Sequence, residues 1–81
     1  MAKFFHLSVA RLTETLYEGD ALSLTAPGEE GVLTVLAGHE AFVSPLKEGT
    51  LRYVAGSGEV TELEISRGIL EVSDNQATVL L

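Results

Sequence analysis

The sequence predicts an all-β fold, an antiparallel sandwich or barrel, and three observations predict it. Apolar residues recur at every second position in several short runs, as they do when a strand buries one face and wets the other. Turn-forming residues separate these runs at intervals too short for helices of ordinary length. No segment carries an apolar stripe at helical spacing for long enough to hold a helix in water.

In the first run Phe5, Leu7 and Val9 share one face, with His6, Ser8 and Ala10 on the other. Leu12 and Leu16 have i,i+4 spacing, but the run to Tyr17 is short and holds Thr13 and Thr15, so it reads as turn and strand. Glu18-Gly19-Asp20 reads as a turn, after which Leu22 and Leu24 alternate with Ala21, Ser23 and Thr25. Pro27-Gly28 opens a second turn with Glu29, Glu30 and Gly31, and the apolar strand Val32–Leu36 leads to Ala37-Gly38-His39-Glu40. Lys47-Glu48-Gly49 is a further turn, and Val54–Val60 around Gly56-Ser57-Gly58 reads as a hairpin loop. Leu63 and Ile65 then alternate with Glu62 and Glu64, and Leu70 and Val72 flank Glu71. Asp74-Asn75 forms the last turn, before Val79 and Leu81 flank Leu80.

The 81 residues make one domain, 1–81, with no repeat, low-complexity tract or linker. A chain of this length buries only about 60–65% of its unfolded surface. With 46% hydrophobic residues it is nevertheless rich enough to fold. It has no cysteine, so neither a disulfide framework nor a thiolate metal site contributes. The formal net charge is −7, and five scattered cations make no basic footprint for nucleic acid or for an anionic membrane surface. No stretch approaches the roughly 18–20 apolar residues that span a bilayer, so no direct membrane insertion is expected. Met1–His6 lacks the apolar core of a secretory signal.

Chemistry is scarce. Glu29 and Glu30 could in principle serve as acid and base, but neighbours on a loop seldom converge, so they read as a solvated acidic turn. His39 beside Glu40 invites a metal reading, yet a metal needs three or four ligands and the only other histidine is His6. His39 therefore reads as an exposed or interface residue. None of the serines sits in a G-x-S-x-G elbow, and Gly56-Ser57-Gly58 lacks the continuation of a phosphate loop. No catalytic residue, metal ligand or cofactor is predicted. A carrier domain would present its modified lysine in Met-Lys-Met or Asp-Lys-Ala, and neither Lys47 nor Lys3 stands in such a context.

Taken together, the segments resemble the epsilon subunit of F-type ATP synthases, called delta in mitochondria. The resemblance rests on Pro27-Gly28-Glu29-Glu30-Gly31, Val35-Leu36-Ala37-Gly38-His39, Leu46-Lys47-Glu48-Gly49 with Leu51-Arg52, Gly68-Ile69-Leu70-Glu71-Val72 and Thr78-Val79-Leu80. Leu16-Tyr17-Glu18-Gly19 and Phe5-His6-Leu7 also fit. Each motif is weak alone; their order and spacing over nearly the whole chain carry the likeness.

The resemblance implies a roughly ten-stranded antiparallel β-sandwich in the central rotor stalk, bound to the gamma subunit and seated on the polar loops of the membrane c-ring. Such a subunit couples ion flow to ATP synthesis and performs no bond chemistry itself. It would sit peripherally on the cytoplasmic side of the bacterial inner membrane, or on the matrix or stroma side in an organelle. By the same likeness Glu29, Glu30, Gly31 and Val32 correspond to the c-ring contact. His39, Glu40, Ala41, Phe42 and Val43 correspond to surface near gamma, with Phe42 and Val43 as its exposed apolar residues. The family commonly has prolines where Leu12, Ala37 and Ala41 stand, an acid where Val32 stands and a glycine where Arg67 stands.

Family members commonly continue into a two-helix hairpin that inhibits ATP hydrolysis and in some binds ATP. This chain stops at Leu81, in what should be the last strand, and reads as a naturally short form. The alternative to the rotor reading is a generic β-sandwich binding or carrier module outside the synthase. Without the hairpin no nucleotide binding is expected: calorimetric titration with ATP should be flat, and micromolar affinity would contradict this.

Overall fold

A computed structural model describes residues 3–81, so Met1 and Ala2 of the amino-terminal segment lie outside it. Eight strands and no helix are found among the described residues. They are β1 (Phe5–Arg11), β2 (Glu14–Gly28), β3 (Gly31–Val35), β4 (Phe42–Leu46), β5 (Gly49–Ala55), β6 (Val60–Ile65), β7 (Gly68–Ser73) and β8 (Gln76–Leu80).

The strands form one hydrogen-bonded path, β1-β8-β7-β4-β2-β5-β6, with β3 beside β2 and β1 also pairing β2. The path folds over on itself as a sandwich because β2 serves both layers. Its first half pairs with β1 from Arg11↔Glu14 to Phe5↔Ala21. Its second half pairs with β5 on one side and β3 on the other. Gly28, at its end, meets Leu46 of β4 and closes the ring.

Strand count and direction differ from the expectation of about ten antiparallel strands. Glu18-Gly19-Asp20 does not break the chain: these residues stay in β2, paired with Ser8, Leu7 and His6. Pairing along β1 holds this short polar segment extended where turn propensity alone would bend it. One ladder, β1 with β8, is parallel, joining the two ends of the chain from His6↔Gln76 to Ala10↔Leu80.

The alternation is otherwise as the sequence predicts. Phe5, Leu7 and Val9 are buried from β1, Leu70 and Val72 from β7, and Ala77 and Val79 from β8. The opposing layer contributes Leu24, Ala26, Val35, Leu51, Tyr53 and Ile65, and among the described residues no polar or charged one is buried with them. Tyr53 packs on Tyr17 with ring centroids 5.0 Å apart, tilted by 40°.

In β2 the predicted phase fails at one point. Ala21 and Leu24 are both fully buried although they have opposite parity, and Leu22 is only half-buried. A register shift between Ala21 and Ser23 against β5 accounts for this. The extra residue of a bulge turns the following side chains over. Odd residues therefore face the core before the bulge and even residues after it.

The hairpins follow their turn residues. Asp74 and Asn75 have φ of 52° and 59°, the two positive values that a two-residue type I′ turn requires. Gly56-Ser57-Gly58 closes with Gly58 N–H donating to the Ala55 carbonyl and Ala55 N–H to the Glu59 carbonyl, both at 2.8 Å. Leu12 and Thr13 form the turn between β1 and β2.

The bulge fixes which leucine of β2 matters. Leu24→Ala should lower unfolding free energy by about 2–5 kcal/mol, and Leu22→Ala by about 1 kcal/mol, in urea denaturation. Equal losses would show that the phase does not switch.

Candidate functional site

Of the two segments singled out in the sequence, Phe42 and Val43 of the second lie beside the first, while His39, Glu40 and Ala41 stand beyond the far end of β3. Glu29 and Glu30 form the two-residue tip of the β2–β3 hairpin, closed by the Gly28↔Gly31 pair. Both glutamates are exposed. The tip is tied to β4 by the Glu29 N–H, which donates to the Pro45 carbonyl at 3.3 Å. Beside it the Lys47 N–H donates to the Pro27 carbonyl at 2.9 Å. Gly28 permits this closeness, since a Cβ there would stand 2.7 Å from the Gly31 carbonyl oxygen.

Between this hairpin and β4 lies an open cleft of about 370 Å³, lined on one side by Glu29, Glu30 and Val32 and on the other by Phe42, Val43 and Pro45. Residues read separately from the sequence thus share one concavity, acidic at its rim and apolar on its walls. Val32 is 74% exposed and Val43 60%.

His39, Glu40 and Ala41 are exposed on the connection from β3 to β4. His39 N–H donates to the Leu36 carbonyl at 3.1 Å, closing a turn in which Gly38 has φ of 81°. That value suits the third position of a type II turn, which favours glycine. The His39 ring packs on Phe42 with centroids 4.9 Å apart and planes tilted by 54°. Its Nδ1 donates to the Glu40 carbonyl at 2.8 Å, a partner that can only accept. Phe42 itself is half-buried and packs against the core, so of the two apolar residues expected to be exposed only Val43 stands free.

A wider apolar surface extends from β4, and the sequence reading did not find it. Pro45 pairs with Ile69, Ile69 with Leu80, and Leu80 with Ala10, so these four residues form a row across β4, β7, β8 and β1. Ile69 is 42% exposed and Leu80 53%, whereas their sequence neighbours Leu70 and Val79 are fully buried. Val43 lies at the edge of the same face, opposite Glu71. A signal was present: Ile69 and Leu80 are large apolar residues on the parity that alternation assigns to water.

The opposite outer face is mixed: it carries the apolar pair Val54–Val60, with Val60 exposed, and exposed Val32 and Leu36 on and after β3, beside polar pairs. There Arg52 Nε lies 3.5 Å from Glu62 Oε2, and Thr50 Oγ1 donates to Glu64 at 2.5 Å. Such exposed pairs contribute little stability but keep a face wet. No group of three or more His, Asp or Glu side chains among the described residues is arranged to hold a metal ion.

A two-layer sandwich with an apolar row across one outer face and an acidic hairpin at its edge defines a small β-sandwich domain. Residues 4–81 match the model of the ATP synthase delta/epsilon chain β-sandwich domain, and the chain belongs to that family. It is 38% identical over 81 residues to the ATP synthase epsilon chain of Thioalkalivibrio sulfidiphilus, covering 99% of this chain and 57% of the relative. It is 35% identical over 74 residues to the epsilon chain of Bordetella petrii, covering 91% of this chain and 52% of that one. The chain therefore spans little more than half the length of these relatives. Its fold superposes on a chain in the Euglena gracilis mitochondrial ATP synthase, a structure of OSCP, F1 and c-ring, with a TM-score of 0.89 and 27% identity. That match covers 99% of this chain and 51% of the other.

Because the Gly28 contact is with backbone, Gly28→Ala should cost about 1–3 kcal/mol. Its amide shift changes should centre on 28–33 and 45–47. A silent spectrum would mean that the hairpin does not need this approach.

Proposed function

We propose that this chain is the partner-holding sandwich of a rotor-stalk subunit of an F-type ATP synthase and carries no catalytic residue of its own. The face of β1, β8, β7 and β4 meets the gamma subunit, and the hairpin tip Glu29–Val32 meets the polar loops of the c-ring. His39, Glu40, Ala41 and Val43 border the gamma contact, with Phe42 holding His39 from beneath. The assembly places the chain peripherally at a membrane, on the cytoplasmic side in bacteria or the matrix or stroma side in an organelle. Its part in coupling ion flow to ATP synthesis is mechanical.

The observation that carries this reading is the row Pro45–Ile69–Leu80–Ala10. Exposed large apolar residues aligned across four strands cost free energy in water and are stabilised when a partner covers them. The opposite face, with its ion pair and Thr–Glu bond, offers less, since its apolar pair Val54–Val60 is followed by Ser23 on β2 and forms no row across four strands. The hairpin suits a different contact. Two carboxylates beside Val32 favour a basic or polar partner at a partly wet interface, where charge sets orientation more than affinity. Family membership favours a rotor partner over a carrier role, and Lys47 stands in no carrier motif.

Size-exclusion chromatography with the gamma subunit from the same source tests the assignment, and one-to-one co-elution is expected. Ile69→Asp should weaken binding by about tenfold or more with unchanged circular dichroism, while Glu62→Gln on the opposite face should leave it intact. Glu29→Lys with Glu30→Lys should weaken association with isolated c-rings and leave gamma binding unchanged. Independent elution of the folded wild-type chain would overturn the rotor assignment.

A further inference from the structure

We propose that Asn75 is a positioning residue that sets the His39 turn against the apolar face. The proposal rests on the reading of that face and turn as the gamma contact. Asn75 is the second residue of the β7–β8 turn, so hairpin closure requires only its positive φ of 59°. Glycine would supply that φ without penalty. The side chain does something further.

Its Oδ1 accepts the N–H of Gly38 at 2.8 Å, and its Nδ2 donates to the carbonyl of Phe4 at 2.9 Å. Its own carbonyl accepts the N–H of His6 at 3.1 Å. One residue thus clasps the β3–β4 connection and the entry to β1, segments 37 and 71 residues away along the chain. Both ends of the amide are used in opposite senses, one accepting and one donating. Aspartate supplies only the acceptor and glycine neither.

The clasp matters because the turn has few other ties. In a turn closed by the His39 N–H to the Leu36 carbonyl, the Gly38 N–H is directed away from the closing bond, and Asn75 is its partner. His39 follows at once, packed on Phe42. Through Asn75 the turn is fastened to one end of the β7–β8 hairpin, and Ile69 and Leu80 pair at the other end of the same two strands. Held in this way, His39 and the apolar row form one rigid outline, and a partner that reads both need not order the turn on binding.

The test pairs amide hydrogen exchange in the isolated domain with gamma-subunit binding. Asn75→Gly tolerates the backbone conformation and removes both side-chain bonds. It should speed exchange at Gly38 by about five- to tenfold relative to Tyr53 in β5, and raise the Kd for gamma by about tenfold. Asn75→Asp retains the acceptor for Gly38 but sets a carboxylate oxygen against the Phe4 carbonyl, so Gly38 exchange and Kd should fall between those of Asn75→Gly and wild type. A general loss of stability would not separate these two variants in that order. Unchanged Gly38 exchange in folded Asn75→Gly overturns the clasp. Faster exchange with wild-type affinity overturns the positioning role. No binding by the wild-type chain overturns the rotor reading and this role with it, while the exchange arm still decides whether the clasp exists.

Discussion

The structure depends on one strand belonging to two layers. β2 leaves β1 near Ala21 and continues between β3 and β5, and a strand that crosses layers must present its apolar side to the same core throughout. Strict period-two alternation cannot do this once the strand turns over. The bulge around Leu22 solves it by adding one residue, which sends Ala21 and Leu24 inward together. Bulges also bend the strand and increase its twist, which is what folding a continuous sheet into a sandwich requires.

With β2 serving both layers, the remaining strands have little choice of place. β5 and β6 extend one layer, and β4, Gly28 and the ring through β7, β8 and β1 complete the other. The parallel β1–β8 ladder brings the two ends of the chain side by side, and Leu81 N–H continues it by donating to the Ala10 carbonyl at 2.9 Å. A core rich in leucine and valine from both layers, with no polar or charged residue buried among the described residues, then holds the domain without cysteine.

The outer surfaces divide along the same lines. One layer shows water an ion pair, threonines and glutamates with Val60 and Val32 among them; the other shows an apolar row edged by Glu71. A domain this small gives up stability by leaving such a row uncovered, and the proposed function makes the row half of an interface. The acidic hairpin stands apart from it in character, although the cleft beside Val32 and Val43 joins the two. One small domain thus carries an apolar row and an acidic tip on adjoining edges.

Several features were legible in the residues alone. Alternation in Phe5-His6-Leu7-Ser8-Val9 or in Leu70-Glu71-Val72 is local, and burial of one face follows from it in any antiparallel or parallel sheet. Asp74-Asn75 and Gly56-Ser57-Gly58 specify their turns by backbone chemistry that needs no tertiary partner. The ordered motifs likewise marked the Glu29–Val32 tip and the His39 turn. What the sequence could not decide is whatever depends on pairing between distant strands. Glu18-Gly19-Asp20 stays extended because β1 pairs with it, and Leu22 bulges because β5 does. Ile69 and Leu80 look like isolated apolar residues until antiparallel and parallel registers line them up with Pro45 and Ala10. Local sequence determined the faces and the turns, since these follow from one residue and its neighbours. Register alone decided how those faces combine, since ladder pairing joins residues that are remote along the chain.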